Sequence, residues 1–143
     1  MNDISQVFIG VDLGDKRIGL SKSDPSGLIA SPVKTIPTVN VNTDIQNVVT
    51  FATECDAQKI IIGLPLLMSG EKGSQANKAT KFAELLSENT SITVEAEDER
   101  LSSVEAENIL NFNHKKSRLK NKPLDSYAAA IILQRYLDRL NKG

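Results

Sequence analysis

A chain of 143 residues, 40% hydrophobic and 24% charged, can bury a core without staples, and its single Cys55 excludes an internal disulfide. A net charge of −1 excludes electrostatic binding of nucleic acid by the whole surface, and no apolar run reaches the length of a membrane span. MNDISQ lacks the order of a secretory signal, so the expectation is one cytoplasmic domain over residues 1–143 with no membrane contact.

Val7 to Ser23 (VFIGVDLGDKRIGLSKS) reads as two short strands joined by a tight Asp15-Lys16 turn. Alternation along the first strand puts Ile9, Val11 and Leu13 on one face and Gly10, Asp12 and Gly14 on the other. Asp12 therefore has only glycines beside it. An aspartate inside a strand is costly to bury alone, and flanking glycines let a backbone or a ligand come close, so the pattern marks a candidate site. Asp24-Pro25-Ser26-Gly27 is turn chemistry, and Ala30 to Ile36 forms a third strand bounded by Pro37.

Thr43-Asp44-Ile45-Gln46 has capping-box spacing, and Ile45, Val48, Val49 and Ala52 repeat at helical period. Cys55 falls at this helix, a buried or half-buried thiol to which no chemistry is assigned. Lys59-Ile60-Ile61-Ile62-Gly63-Leu64 is too short for a helix and reads as a strand covered on both faces of a parallel sheet. The loop Pro65 to Ser74 leads into a helix with the stripe Ala79, Phe82, Ala83 and Leu86. Ile92, Val94 and Ala96 then alternate with Thr93, Glu95 and Glu97 in a strand ending in Asp98-Glu99-Arg100. Ser102 and Glu105 have capping-box spacing, which predicts a helix to about Asn111.

His114 to Lys122 (HKKSRLKNK) holds five Lys or Arg and no acid, a local basic loop in an acidic chain. Pro123 suits a first helical turn, and a helix is predicted from Leu124 to Leu140. On it Asp125, Ala128, Ala129, Ile132 and Tyr136 form one stripe, so Asp125 is either a third inward carboxylate or an ordinary first-turn acid favoured by the helix dipole.

The order βββαβαβαα is an α/β fold in which an antiparallel meander leads into parallel strands, a mixed five-stranded sheet flanked by helices. Ligands in such sheets gather at strand ends where the order switches. Asp12, Glu99 and Asp125 meeting there would repel one another unless a hard divalent cation, Mg²⁺ or Mn²⁺, neutralises them. Such a site suits hydrolysis of a phosphodiester.

Gly10-Val11-Asp12-Leu13-Gly14 with Lys16-Arg17-Ile18-Gly19, then Ile62-Gly63-Leu64-Pro65, then Asp98-Glu99-Arg100-Leu101, then Leu124-Asp125 with Ala128-Ala129 and Ile131-Ile132-Leu133-Gln134, resemble the successive motifs of the YqgF family, also called RuvX. The resemblance spans nearly the whole chain. It implies an RNase H-like fold and a cytoplasmic bacterial metal-dependent nuclease that matures the 5′ end of the pre-16S ribosomal RNA. Carried over by position, Asp12 is the first-strand metal ligand, Glu99 the second and Asp125 the ligand on the final helix. Two positions depart from the pattern. Ser102-Ser103 stands where the family often has Thr, and Gly63-Leu64-Pro65 offers no carboxylate before Glu71 where related resolvases place one. Strict alternation sets Asp98 on the Ile92-Val94 face, so Asp98 is held in reserve for Glu99.

The leading expectation is a phosphodiesterase acting on structured RNA, with Lys16, Arg17, Arg100, Lys115, Lys116, Arg118 and Lys120 gripping phosphates. Aromatic residues are too few for a base-stacking platform, so recognition would rest on shape. The nearest alternative is a four-way DNA junction, branched DNA that needs paired sites and hence a two-fold dimer; monomer and homodimer both stay open. A non-catalytic RNA-binding module of the same fold is the third reading. An ATPase of the sugar-kinase type is disfavoured, because 143 residues supply one such domain where two are needed.

Overall fold

The computed structural model describes residues 6–64, 73–98 and 124–141. In chain order it comprises β1 (Phe8–Leu13), β2 (Arg17–Ser23), β3 (Ala30–Pro37), α1 (Val41–Glu54), β4 (Lys59–Leu64), α2 (Ser74–Glu88), β5 (Thr93–Asp98) and α3 (Leu124–Asn141). The strands form one sheet in the order β3-β2-β1-β4-β5. Pairing is antiparallel from β3 to β1 and parallel from β1 to β5, which is the expected mixed five-stranded α/β sheet. The helix expected after Leu101 and the basic loop His114 to Lys122 lie outside the described residues.

The β1–β2 hairpin turns on Asp15 and Lys16 as the sequence predicts. The Gly14 N–H donates to the Arg17 carbonyl at 2.9 Å, and a Cβ on Gly14 would sit 2.6 Å from that oxygen, so only glycine closes the turn. The β2–β3 turn is built on Asp24, whose carboxylate accepts from the N–H groups of Leu28 and Ile29 at 2.9 Å and from the Ser26 hydroxyl. The Ser26 hydroxyl above all, then the two backbone bonds, hold the Asp24 carboxyl down to about 2. Gly27 takes the left-handed conformation this turn requires, with φ at 74°.

Alternation then divides the core between two faces. Ile9, Val11, Ile18, Leu20, Ile60 and Ile62 face α1 and α2, meeting Ile45, Val48, Phe51, Phe82 and Leu86. Phe8 and Ile61 face the opposite way and pack on Ile132, Leu133, Tyr136 and Leu137 of α3. Because the two faces are both covered, β4 buries Ile60, Ile61 and Ile62 in succession, which is why its sequence shows no polar alternation. At the far edge β3 carries Pro32 and Pro37, and its pairing with β2 is irregular between Leu20 and Ser21. None of the described helices is long and apolar enough to cross a membrane.

One start signal is corrected. The predicted capping box began at Thr43, whereas α1 starts at Val41 with Asn40 as its cap, the Asn40 side chain accepting from the Thr43 N–H at 2.9 Å. Asp44 then folds back to accept from the Val39 N–H at 3.0 Å, so its carboxylate serves the turn before the helix. Asn satisfies the first-turn donors at least as well as Thr, and the chain takes the earlier start. Cys55 is the half-buried C-cap residue of the same helix, as expected, and burial pushes its thiol above the ordinary cysteine value. Replacing Asn40 with Ala is expected to destabilise the fold by about 1 kcal/mol and Thr43→Ala by less, measured by urea unfolding.

Candidate functional site at the end of the first strand

Asp12 is the fifth residue of β1, half-buried at the carboxyl end of that strand. Its Cα partner on β2 is Gly19, and the last β1–β4 pair, Val11 with Ile62, makes Gly63 its neighbour on the other side. Glycines therefore stand before it, across from it on both flanks, and after it at the turn. The expected glycine surroundings are wider than one strand.

What covers this face is α3. The Ser21 hydroxyl, on the Cα partner of Gly10, donates to the Ala129 carbonyl at 2.8 Å. A Cβ on Gly10 would lie 2.6 Å from that carbonyl oxygen and 2.9 Å from Leu133 Cβ, so helix backbone touches strand backbone there. Further along, Phe8 meets Tyr136 edge to face, with ring centroids 6.0 Å apart. Moving from Gly10 to Phe8 thus moves from Ala129 to Tyr136, and α3 runs antiparallel to β1. Asp12 lies two strand residues beyond Gly10, roughly 6.6 Å. Asp125 lies four helix residues before Ala129, about 6 Å along the axis. The first turn of α3 therefore starts at the Asp12 end of the sheet. The same helix is pinned to β3 by Gln134, which accepts from the Ala30 N–H at 2.8 Å and donates to the Leu28 carbonyl at 2.9 Å.

The β5 side of this face is charged. Glu97 pairs with Gly63 in register, which sets it level with Asp12 on the same face, and it is only 7% exposed. Arg139 of α3 holds it in an ion pair. One step back along β5, Glu95 meets Lys59 at 2.7 Å, and Lys59 donates to the Tyr136 hydroxyl at 2.8 Å. The bond to Glu95 first and that to Tyr136 second raise the Lys59 ammonium above its usual range, and Lys59 holds the Glu95 carboxyl below its own. The guanidinium of Arg139 also lies 5.3 Å from the centre of the Tyr136 ring. Asp98, by contrast, pairs with Leu64 and shares the Val94 side of the strand, the side that packs on the α1 and α2 core. Asp12 and Asp98 belong to opposite faces.

Of the phosphate-gripping candidates, Lys16 and Arg17 are described, and both are exposed at the hairpin tip. The Thr38 N–H donates to the Lys16 carbonyl at 3.0 Å, which fixes the tip, and Arg17 begins β2 on the face of Gly19. Glu99, Arg100, Lys115, Lys116, Arg118 and Lys120 lie outside the described residues, and Asp125 is described as a helix position without its side chain. Among the described residues no three His, Cys, Asp or Glu side chains gather as a metal cluster. On the far face of the same strand end, an apolar cleft of about 340 Å³ is lined by Leu13, Ile18, Val39, Val41, Phe82 and Leu85.

Three features escaped the sequence reading. Glu95 and Glu97 have the pattern of a solvent face, yet Glu97 is buried and Lys59 and Arg139 of the same face neutralise the two carboxylates. The alternate small residues Gly19, Ser21 and Ser23 in β2 were the available sign that a helix backbone lies close on that side. A lysine opening the otherwise apolar run of β4 was the sign of a buried partner.

The family model described as "RuvX: Holliday junction resolvase" matches residues 6–139. A relative from Clostridioides difficile is 45% identical over 131 residues, covering 92% of this chain and 93% of its own. One from Clavibacter michiganensis is 41% identical over 131 residues, covering 91% and 81%. Each carries the name "Putative pre-16S rRNA nuclease". Among solved structures, RuvC of Thermus thermophilus aligns with a TM-score of 0.59 at 14% identity, over 95% of this chain and 97% of that one. The fowlpox virus resolvase, solved with substrate Holliday junction DNA, aligns with a TM-score of 0.60 at 16% identity, over 94% and 99%. These likenesses establish the fold as that of the resolvases.

The Glu95–Lys59 pair gives stability a defined pH window. Glu95 has a lowered carboxyl, so its contribution is present above the ordinary glutamate value of about 4.3 and is lost as pH falls through the lower folded value. Lys59 has a raised ammonium, so its contribution is present below about 10.4 and is lost as pH climbs through the higher folded value. Glu95→Gln is expected to flatten the acid limb of a plot of urea midpoint against pH while leaving the neutral plateau lower, and an unchanged acid limb would contradict the assignment.

Proposed function

This chain belongs to the RuvX (YqgF) family, and from that premise we propose that it is a metal-dependent nuclease that hydrolyses phosphodiester bonds in structured RNA, with the 5′ end of pre-16S ribosomal RNA as its substrate. The observation that carries the reading is Asp12, a half-buried carboxylate at the carboxyl end of β1, ringed by glycine positions and level with the first turn of α3. Residues 1–143 would act as one nuclease domain in the cytoplasm.

The donor chemistry fits Mg²⁺ or Mn²⁺, because carboxylate oxygens are hard ligands and the glycines leave space for an ion and its waters. Asp12 would hold the cation together with Asp125 and Glu99. Asp98 lies on the face opposite Asp12, which speaks against it in this role and leaves Glu99, the position that the family motif gives. When bound, the cation would activate a water and stabilise the charge on the leaving oxygen. The protein side of the reaction is positioning. Lys16 and Arg17 at the fixed hairpin tip would take phosphates beside Asp12, with Arg100, Lys115, Lys116, Arg118 and Lys120 extending the grip. Glu97 is level with Asp12 but is already neutralised by Arg139, which supports a structural part for it rather than a fourth ligand.

A second reading, cleavage of a four-way DNA junction, is favoured by the family description itself, which names a Holliday junction resolvase. It would require two sites related by a two-fold axis.

Labelled pre-16S RNA and a four-way DNA junction, incubated with Mg²⁺ or Mn²⁺ and with chelator, separate these readings. The expected result is metal-dependent cutting of the RNA that Asp12→Asn abolishes while fold and RNA affinity persist; cutting of the junction alone would select the resolvase. Metal-dependent cutting that survives in Asp12→Asn would overturn the site, and intact binding without any cutting would leave a non-catalytic module. Replacing Lys115, Lys116, Arg118 and Lys120 together with Ala is expected to weaken RNA binding and reduce the slope of log affinity against log salt by about 3 if most of them touch phosphate. An unchanged slope in filter binding would remove the loop from the interface.

A further inference from the structure

We infer that Gly10 and Ser21 are positioning residues of the carboxylate site, because together they set the height and rotation of α3 over β1 and β2. The inference rests on the proposed metal site. Ser21 is fully buried, and its hydroxyl bonds a carbonyl 108 residues away in sequence. That carbonyl sits inside a helix, where it already accepts the intrahelical bond from the residue four positions on. The helix does not need the Ser21 bond for its own sake. The second lone pair of Ala129 therefore serves as an anchor between elements.

Gly10 acts at the same point from the other strand. With a Cβ there the Ser21 Oγ would stand at 2.4 Å, the Ala129 oxygen at 2.6 Å and the Leu133 Cβ at 2.9 Å, so a larger residue displaces the anchoring hydroxyl and the helix it holds. Gly10 and Ser21 are Cα partners, and the next pair on that face toward the strand end is Asp12 with Gly19. One turn of α3 from the anchor stands Asp125. The contact thus lies one residue pair from one carboxylate position and one helical turn from another, and it fixes the spacing of their backbones.

Such spacing matters unequally to different cations. Mg²⁺ demands near-ideal octahedral geometry at about 2.0–2.1 Å, whereas Ca²⁺ accepts 6–8 oxygens over a looser range. A displaced helix costs Mg²⁺ binding first. Loss of stability alone produces no such discrimination.

The test is calorimetric titration of Mg²⁺ and of Ca²⁺ into wild type, Ser21→Ala, Gly10→Ala, Asp12→Asn and Leu86→Ala, with thermal unfolding of each. Leu86 is buried in the core on the other face and serves as the control for simple destabilisation. Ser21→Ala and Gly10→Ala are expected to weaken Mg²⁺ binding about 10-fold or more, in the range seen when groups that orient ligands are removed, and to change Ca²⁺ binding less. Leu86→Ala is expected to lower the unfolding temperature and leave both affinities in place. Should Gly10→Ala not fold, Ser21→Ala carries the test, since it removes an atom and introduces no clash. Wild-type Mg²⁺ affinity in folded Ser21→Ala, or equal losses in Leu86→Ala, would overturn the positioning role while leaving the site standing. Equal Mg²⁺ affinity in wild type and Asp12→Asn would overturn the site itself, and the positioning role with it.

Discussion

Gly10 has no side chain of its own to set against Ala129, and the Ser21 hydroxyl beside it bonds the Ala129 carbonyl. A helix that rests on strand backbone cannot slide or rotate as one resting on interdigitated leucines can, because main-chain atoms have no rotamers to adjust. The rest of the α3 face is arranged about that point. Phe8, Leu133 and Tyr136 pack to one side of it, Gln134 fastens the helix to the start of β3, and Asp12 stands toward the open end of the strands.

The face is asymmetric in chemistry as well as in spacing. Toward β2 the sheet offers glycines and serines, and toward β5 it offers Glu95 and Glu97, met by Lys59 and Arg139. Burial of Glu97 is tolerable only with its partner in place, since an unpaired charge there would cost several kcal/mol. Among the described residues, no buried side-chain nitrogen or oxygen lacks a hydrogen-bond partner, so this polar flank is satisfied throughout. Glu95 and Glu97 are neutralised from within the fold by Lys59 and Arg139.

Much of this was legible in the sequence for physical reasons that can be named. The hairpin was legible because Gly14 and the polar pair Asp15-Lys16 have one economical conformation, and β4 because three successive isoleucines admit only a strand covered on both faces. The stripes of α1 and α2 followed from period, and on α3 Tyr127, Ala130, Leu133 and Leu137 are buried beside the expected Ala129, Ile132 and Tyr136. Asp12 was legible because carboxylates are rare inside strands. Local signals failed where the deciding partner is distant. Thr43 and Asn40 are equally good caps on paper, and only the fold-back of Asp44 onto Val39 decides between them. Glu97 looks solvated until a helix more than twenty-five residues later is laid over it. The face of the last acidic motif could not be judged either, because parity needs a reference, and the reference is Gly10 packed on α3 rather than Ile92 packed on α1 and α2.

The separation between Ser21 and Ala129 also has a temporal side. The hairpin of β1 and β2 closes over a two-residue loop and forms early, but its cover comes from the far end of the chain, and contacts of such long sequence separation are entropically late. While the chain is being synthesised, Asp12 can already sit in a strand that is paired on one side, yet the surface beneath it stays open until α3 has emerged and docked. A nascent or truncated chain thus presents Asp12 on a paired strand before the helix that covers the Gly10 and Ser21 face has docked.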